Sequence, residues 1–206
     1  MKYYIDITLL PDAEVGLGFL WQKVYQQLHL ALVDAKSLLK DSDSVIAVSF
    51  PEYGDKVYPL GSKLRLFSLT KEAFSLLDIE KWLIRLTDYV HFKQVNVVPD
   101  TASYVCFTRQ QFTTNLNRLA RRRVKRKGGS LAQALNYYAD FEDHNSNLPF
   151  VNMVSLSSSK GFAGMENHKF RLFIVKEVAD DFKRGDVNAY GLSASESNNQ
   201  TTVPWF

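Results

Sequence analysis

Residues 3–10, YYIDITLL, followed at 17–39 by LGFLWQKVYQQLHLALVDAKSLL, decide how the rest of the chain is read. The first run alternates like a β-strand, whose successive side chains point to opposite faces. The second repeats apolar residues at helical spacing, and Leu20, Trp21, Val24, Tyr25, Leu28, Ala31 and Leu32 share one arc. After a turn-like KDSDS at 40–44 come VIAVSFP (45–51) and KLRLFSL (63–69), two strand runs joined by a loop rich in Gly, Pro and Asp. DIEKWLIRLTDYV (78–90) reads as a helix capped by Asp78, and QVNVVP (94–99) as a closing strand. The order β-α-β-β-α-β is the ferredoxin-like plan.

The expected fold class is therefore α+β, with a ferredoxin-like domain over 1–98 and a smaller α+β domain over 99–206 that carries an arginine-rich helix. The second half is less regular. It offers a strand at 103–108, the basic helix, a helix in SLAQALNYYADFED (130–143), strands in LPFVNMVSLS (148–157) and KFRLFIV (169–175), and a short AYGLS (189–193). No internal repeat occurs at solenoid spacing, and the polar SASESNNQTT is the one biased tract.

With 206 residues, 46% hydrophobic and 13% aromatic, the chain can bury one sizeable core or two small ones, which excludes a disordered polymer. The opening MKYYIDITLLPD meets Pro11 before any long apolar run, so neither a signal peptide nor a membrane span is expected, and the cytoplasm is the natural compartment. A lone Cys106 excludes an internal disulfide and a thiolate zinc cluster.

Charge is concentrated in NRLARRRVKRKGG, 117–129. Seven of the ten residues from Arg118 to Lys127 are basic and none is acidic, whereas the remaining 18 cations face 22 acids. Projected as a helix, Leu116, Leu119, Ala120 and Val124 fall on one arc, with Arg118, Arg121, Arg122, Lys125 and Arg126 opposite. Gly128 and Gly129 supply a stop. Solvated helix faces mix signs to gain pairs one turn apart, whereas cations without acids repel one another until an anion neutralises them. A nucleic-acid backbone is such an anion. The sheet itself is not expected to stack bases, because KLRLFSL lacks the basic-Gly-aromatic-Gly-aromatic pattern of RNA-recognition modules.

In order along the chain, YYIDITLLPD, QLHLALV, AVSFP, TRQQ before the arginine-rich helix, LPFV with its two serines, KFRLFI, YGLS and VPWF resemble the subtype I-F CRISPR repeat-RNA processing endoribonucleases. The resemblance implies that the arginine helix lies in the major groove of a repeat hairpin, that the RNA is cut at the hairpin's 3′ base without metal or cofactor, and that the mature guide RNA stays bound. It also implies partner subunits in a type I-F surveillance complex.

Site residues follow by the same resemblance. His29, at the edge of its apolar stripe, takes the place of the catalytic histidine in QLHLALV, and imidazole suits proton abstraction from a ribose hydroxyl near neutral pH. Ser155 takes the place of the serine that holds the attacking hydroxyl, with Ser157 on the same strand face as a supporting contact; Tyr190 matches a tyrosine beside the histidine. Arg109 and Gln111 match residues that read lower-stem purines, Arg suiting guanine and Gln adenine. Arg118, Arg122 and Arg126 would meet phosphates, flanked by Arg121 and Lys125, and Phe170 would stack under the terminal base pair.

Taken without the resemblance, the same residues read as a stripe-edge histidine, strand-end hydroxyls, core aromatics and a polar linker. Lys160–His168 looks long against the family pattern and puts extra residues between the serines and Phe170. Asp140, Glu142, Asp143 and His144 are grouped, but neighbours at a helix end rarely converge on one ion, so no metal site is assigned. Two other readings stay open: an RNA-hairpin-binding scaffold without catalysis, and a DNA-binding regulator that uses the arginine helix for recognition.

Overall fold

The first strand, β1 (Tyr3–Leu9), sits inside an antiparallel sheet. Its neighbours are β3 (Lys63–Ser68) on one side and β4 (Val90–Phe92) on the other, and β2 (Ala47–Ser49) completes the order β2-β3-β1-β4. The structure, a computed structural model, describes residues 1–36, 45–112, 116–138, 147–155, 169–195 and 199–206. Helix α1 (Leu17–Ala35) buries Leu20, Trp21, Val24, Tyr25, Leu28, Ala31 and Leu32, the arc its sequence marks out. Trp21 satisfies its indole N–H on the Gly61 carbonyl at 2.8 Å, so the large ring can be buried without stranding a donor.

Two expectations for this half are corrected. There is no single helix over 78–90. Instead α2 (Glu72–Leu77) ends where Asp78 takes positive φ (45°) and returns its backbone N–H to the Phe74 carbonyl; a short α3 (Ile79–Trp82) and a 3-10 segment (Ile84–Tyr89) follow. Asp78 gives no side-chain cap. The reversal buries Phe74 and Leu77 before it and Ile79 and Leu83 after it, which one straight helix would not. The closing strand is also not one run. Residues 90–92 pair β1 from Leu9 to Ile7, and β5 (Asn96–Val97) pairs Tyr4 and Tyr3, one residue out of step. That offset is one extra residue on the outer strand, a bulge, at which Lys93 still donates its N–H to the Asp6 carbonyl at 2.9 Å.

A second antiparallel sheet has the order β7-β8-β6-β9, from β6 (Ser103–Gln110), β7 (Phe150–Val154), β8 (Lys169–Ala179) and β9 (Val203–Trp205). One apolar cluster serves both sheets. Phe50 meets Phe107 edge-on at 5.2 Å, and the Tyr53 hydroxyl donates to the Ile174 carbonyl at 2.9 Å.

The last residue closes the first sheet's one buried ion pair among the described residues. Arg65, opposite Asp6 on β3, donates Nε to Oδ1 at 2.6 Å and Nη2 to Oδ2 at 3.0 Å, and its third nitrogen donates to the Phe206 carbonyl at 3.1 Å. The guanidinium also lies 4.1 Å from the Phe206 ring centre, so the desolvated charge is matched on every side.

By packing, the chain divides into two compact units: Met1–Gln110 with Leu148–Phe206, which contains both sheets, and Gln111–Asn147. Position 98/99 falls between β5 and β6, at the passage from one sheet to the other. The second unit contains α4 (Leu116–Lys127) and α5 (Leu131–Tyr137). Gly128, at φ 73°, stops α4 and returns its N–H to the Val124 carbonyl at 2.8 Å; a capping box between Ser130 and Gln133 starts α5. Among the described residues, no helix is long and apolar enough to cross a membrane.

Candidate active site

Helix α1 brings His29 to a point where its ring stacks on Tyr190, 4.4 Å between centres and 18° between planes. His29 Nδ1 lies 2.8 Å from the Ala189 carbonyl oxygen. A carbonyl only accepts, so Nδ1 carries a proton, and in the neutral ring Nε2 is left with the lone pair. The imidazole is therefore fixed in tautomer and orientation with its basic nitrogen turned away from the tether. Half burial leaves the ring reachable.

The turn that carries Tyr190 is built around Asn188. Its side-chain oxygen accepts the N–H groups of Tyr190 at 2.9 Å and Leu192 at 3.3 Å, an arrangement that short amide side chains favour in turns. Gly191 follows at φ 73°, and a Cβ there would run into Val48. Its carbonyl accepts the Val48 N–H at 2.8 Å, which ties the turn to β2. From α1, the buried Tyr25 hydroxyl donates to the Tyr190 carbonyl at 3.0 Å. Burial pushes the Tyr25 phenol well above its ordinary range, so it remains a donor.

Arg109, near the end of β6, reaches the same place. Its guanidinium carbon lies 5.3 Å from the Tyr190 ring centre and 5.6 Å from that of Phe170 on β8. His29, Tyr190, Arg109 and Phe170 thus form one chain of contacts drawn from four places in the sequence. Phe170 is half-buried and pairs with Met153, while the next inward residue, Leu172, is fully buried. Ser155 directly follows β7, whose last residue, Val154, donates its N–H to Gln26 Oε1 at 3.0 Å.

The other expected residues are described by their exposure. Gln111 is exposed and is the first residue of the second unit. On α4, Arg121, Arg122, Lys125 and Arg126 are exposed, Leu119 and Val124 are half-buried and Ala120 is buried. The side chain of Arg118, like Ser157 and the 160–168 segment, lies outside the described residues; so do Asp140, Glu142, Asp143 and His144. Among the described residues, no group of three His, Cys, Asp or Glu could hold a metal ion.

Sequence reasoning passed over Tyr25 as a tether, Gln26 and Asn188. Gln26 had a signal, since it lies three residues before His29 on the same helix side. Asn188 had only the turn propensity of its residue type.

The family described as CRISPR-associated protein (Cas_Csy4) matches residues 4–206. A "CRISPR-associated endonuclease Cas6/Csy4" of Escherichia coli (strain UTI89 / UPEC) is 32% identical over 207 residues, covering the whole of both chains. A protein of the same description from Pseudomonas aeruginosa (strain UCBPP-PA14) is 31% identical over 210 residues, again with full coverage of both. A solved structure described as "An RAMP protein binding different RNA substrates" aligns over 99% of each chain with a TM-score of 0.28 and 10% identity. Matched from Tyr4 to its last residue, the chain belongs to the Cas_Csy4 family, the subtype I-F CRISPR repeat-RNA processing endoribonucleases that its motifs resemble.

Proposed function

We propose that this chain binds a CRISPR repeat RNA hairpin, cuts it at the 3′ base of the stem without a metal ion, and remains on the mature guide RNA. The observation that carries the reading is the His29 tether: Nδ1 donates to the Ala189 carbonyl and the ring stacks on Tyr190, which leaves Nε2 as the proton acceptor. In the proposed reaction Nε2 takes the proton of the ribose 2′-hydroxyl upstream of the cut. The oxygen attacks its own phosphorus, the bond to the 5′-oxygen breaks, and that oxygen leaves as a hydroxyl after gaining a proton. A 2′,3′-cyclic phosphate remains. Ser155 holds the attacking hydroxyl with Ser157 in support, and Tyr190 keeps the imidazole in place. Because the RNA supplies its own nucleophile, positioning can supply much of the acceleration.

Binding is assigned to the rest. Arg118, Arg121, Arg122, Lys125 and Arg126 neutralise phosphates, Arg109 and Gln111 read lower-stem purines, and Phe170 stacks beneath the terminal pair. The exposure of Arg121, Arg122, Lys125 and Arg126 on α4 and the junction of Arg109 with Phe170 and Tyr190 support this division. We read the first domain, 1–98, as ferredoxin-like, supported by the antiparallel order β2-β3-β1-β4 with α1 between β1 and β2, and 99–206 as the RNA-binding domain. The other subunits of a type I-F surveillance complex are its expected partners in the cytoplasm.

The test is cleavage of a hairpin from the chain's own genome in excess chelator, beside the same hairpin with one 2′-deoxy ribose upstream of the cut. The reading requires cutting in chelator and none of the deoxy substrate, with binding retained for both. A metal nuclease would fail in chelator and cut the deoxy substrate, and a scaffold would cut neither RNA.

A further inference from the structure

Val154, where β7 ends, has a backbone N–H that is accepted by a side chain rather than by a described strand. Among the described residues β7 is an outer strand of its sheet, with β8 on one side only, and the N–H is accepted by the Gln26 carboxamide oxygen at 3.0 Å. Gln26 lies one turn before His29 on α1, so both side chains leave the helix on one side. The residue after Val154 is Ser155. One helix therefore reaches the two halves of the site: Tyr25 and His29 hold the carbonyls of Tyr190 and Ala189, and Gln26 holds the strand end that leads to the serine.

The other end of the same carboxamide argues against a purely stabilising role. With Oε1 turned to the Val154 N–H, the amide nitrogen is fixed on the opposite side, where it is buried and has no hydrogen-bond partner among the described residues. An unmade buried donor costs stability; a methionine of similar length would remove that donor, but it would also take away the acceptor of the Val154 N–H. The glutamine is therefore an uneconomical way to fill this space but an effective way to hold one backbone N–H.

We propose that Gln26 is a positioning residue for RNA cleavage, pinning the end of β7 to α1 so that Ser155 keeps a fixed relation to His29. The proposal rests on the reading of His29 and Ser155 given above. Gln26 itself touches no reacting atom; it acts through Val154.

The test uses the full chain and a repeat hairpin from its own genome, with single-turnover cleavage, hairpin affinity and thermal melting measured on Gln26→Met, Gln26→Glu, His29→Ala and Ser155→Ala. Gln26→Met exchanges the unmade amide donor for an unmade Val154 N–H, so it should melt close to the parent and bind within about twofold, yet cleave about 10- to 100-fold more slowly, the cost of a displaced group in an otherwise intact site. Gln26→Glu keeps the acceptor for Val154 and should recover most of that rate. The proposal is overturned if Gln26→Met cleaves at the parent rate, if it melts earlier or loses affinity in step with rate, or if Gln26→Glu is as slow as Gln26→Met. Slow His29→Ala and Ser155→Ala beside a fast Gln26→Met would remove this proposal alone, whereas parent-like cleavage by those two would remove the site reading beneath it.

Discussion

His29 and Tyr190 lie ring on ring, 4.4 Å apart, and the carbonyl that holds His29 belongs to Ala189, the residue next to Tyr190. One turn thus fixes the imidazole twice, through its edge and through its face. Replacing His29 with Ala should slow hairpin cleavage by roughly two to four orders of magnitude while leaving affinity nearly unchanged. Tyr190→Phe should keep the stack and most of the rate, and Tyr190→Leu should lose about 2- to 12-fold, the worth of one aromatic pair. Single-turnover assays at saturating protein separate these outcomes from binding defects.

The cations of α4 and Arg109 should differ in what their loss does. Changing Arg118, Arg122 or Arg126 to Ala should weaken binding to cognate and scrambled hairpins alike and lower the slope of log K against log salt by about one each. Arg109→Ala should instead narrow the preference for the cognate lower stem, because a base-edge contact carries sequence information and a phosphate contact does not. Salt titrations on the two hairpins decide it; four identical profiles would abolish the distinction.

Gly191→Ala puts a side chain where φ is 73° and where Val48 already stands. Strain and overpacking together should cost on the order of 2–4 kcal/mol in urea unfolding. Since the displaced residue adjoins Tyr190, cleavage should fall beyond what the loss of folded protein explains, measured at a temperature where the variant is still native.

Stability should fall as pH rises above about 10. Burial raises the Tyr25 phenol above its unfolded value of 10.0, so beyond that pH the unfolded chain sheds a proton that the native chain keeps, and the equilibrium moves toward unfolding. Tyr53 and Tyr58 are raised for the same reason and add to the slope. Denaturant titrations between neutral and strongly alkaline pH should give Tyr25→Phe a shallower decline than the parent; identical declines would rule Tyr25 out as a source.

Where the fold was legible, a long periodic segment met a single buried face. Helix α1 has enough turns for Leu20 to Leu32 to declare one stripe, and β1 and β3 are strands with plain apolar content. What was missed lies in short elements set by tertiary packing. Glu72–Leu77 is too brief to show a period, and Asp78 adopts a conformation that asparagine or glycine would have advertised better. β9 was hidden by Pro204, which is tolerated because β9 is an outer strand with only β6 beside it among the described residues. The candidate site was proposed from family motifs rather than from any local pattern. The bond from His29 to Ala189 joins residues 160 apart, and no local pattern announces such a pairing.

Unit 111–147 leaves the sheet after Gln110 and returns before Phe150, and both of those residues pair with Phe173, one from each side of β8. Departure and return are therefore only two strand spacings apart, about 10 Å, a gap that about four extended residues span. Seen from the sheet, those 37 residues are a detour inserted into a hairpin-sized gap. Among the described residues no strand pairing involves the detour, so the charge of α4 is carried by a segment that contributes nothing to either sheet.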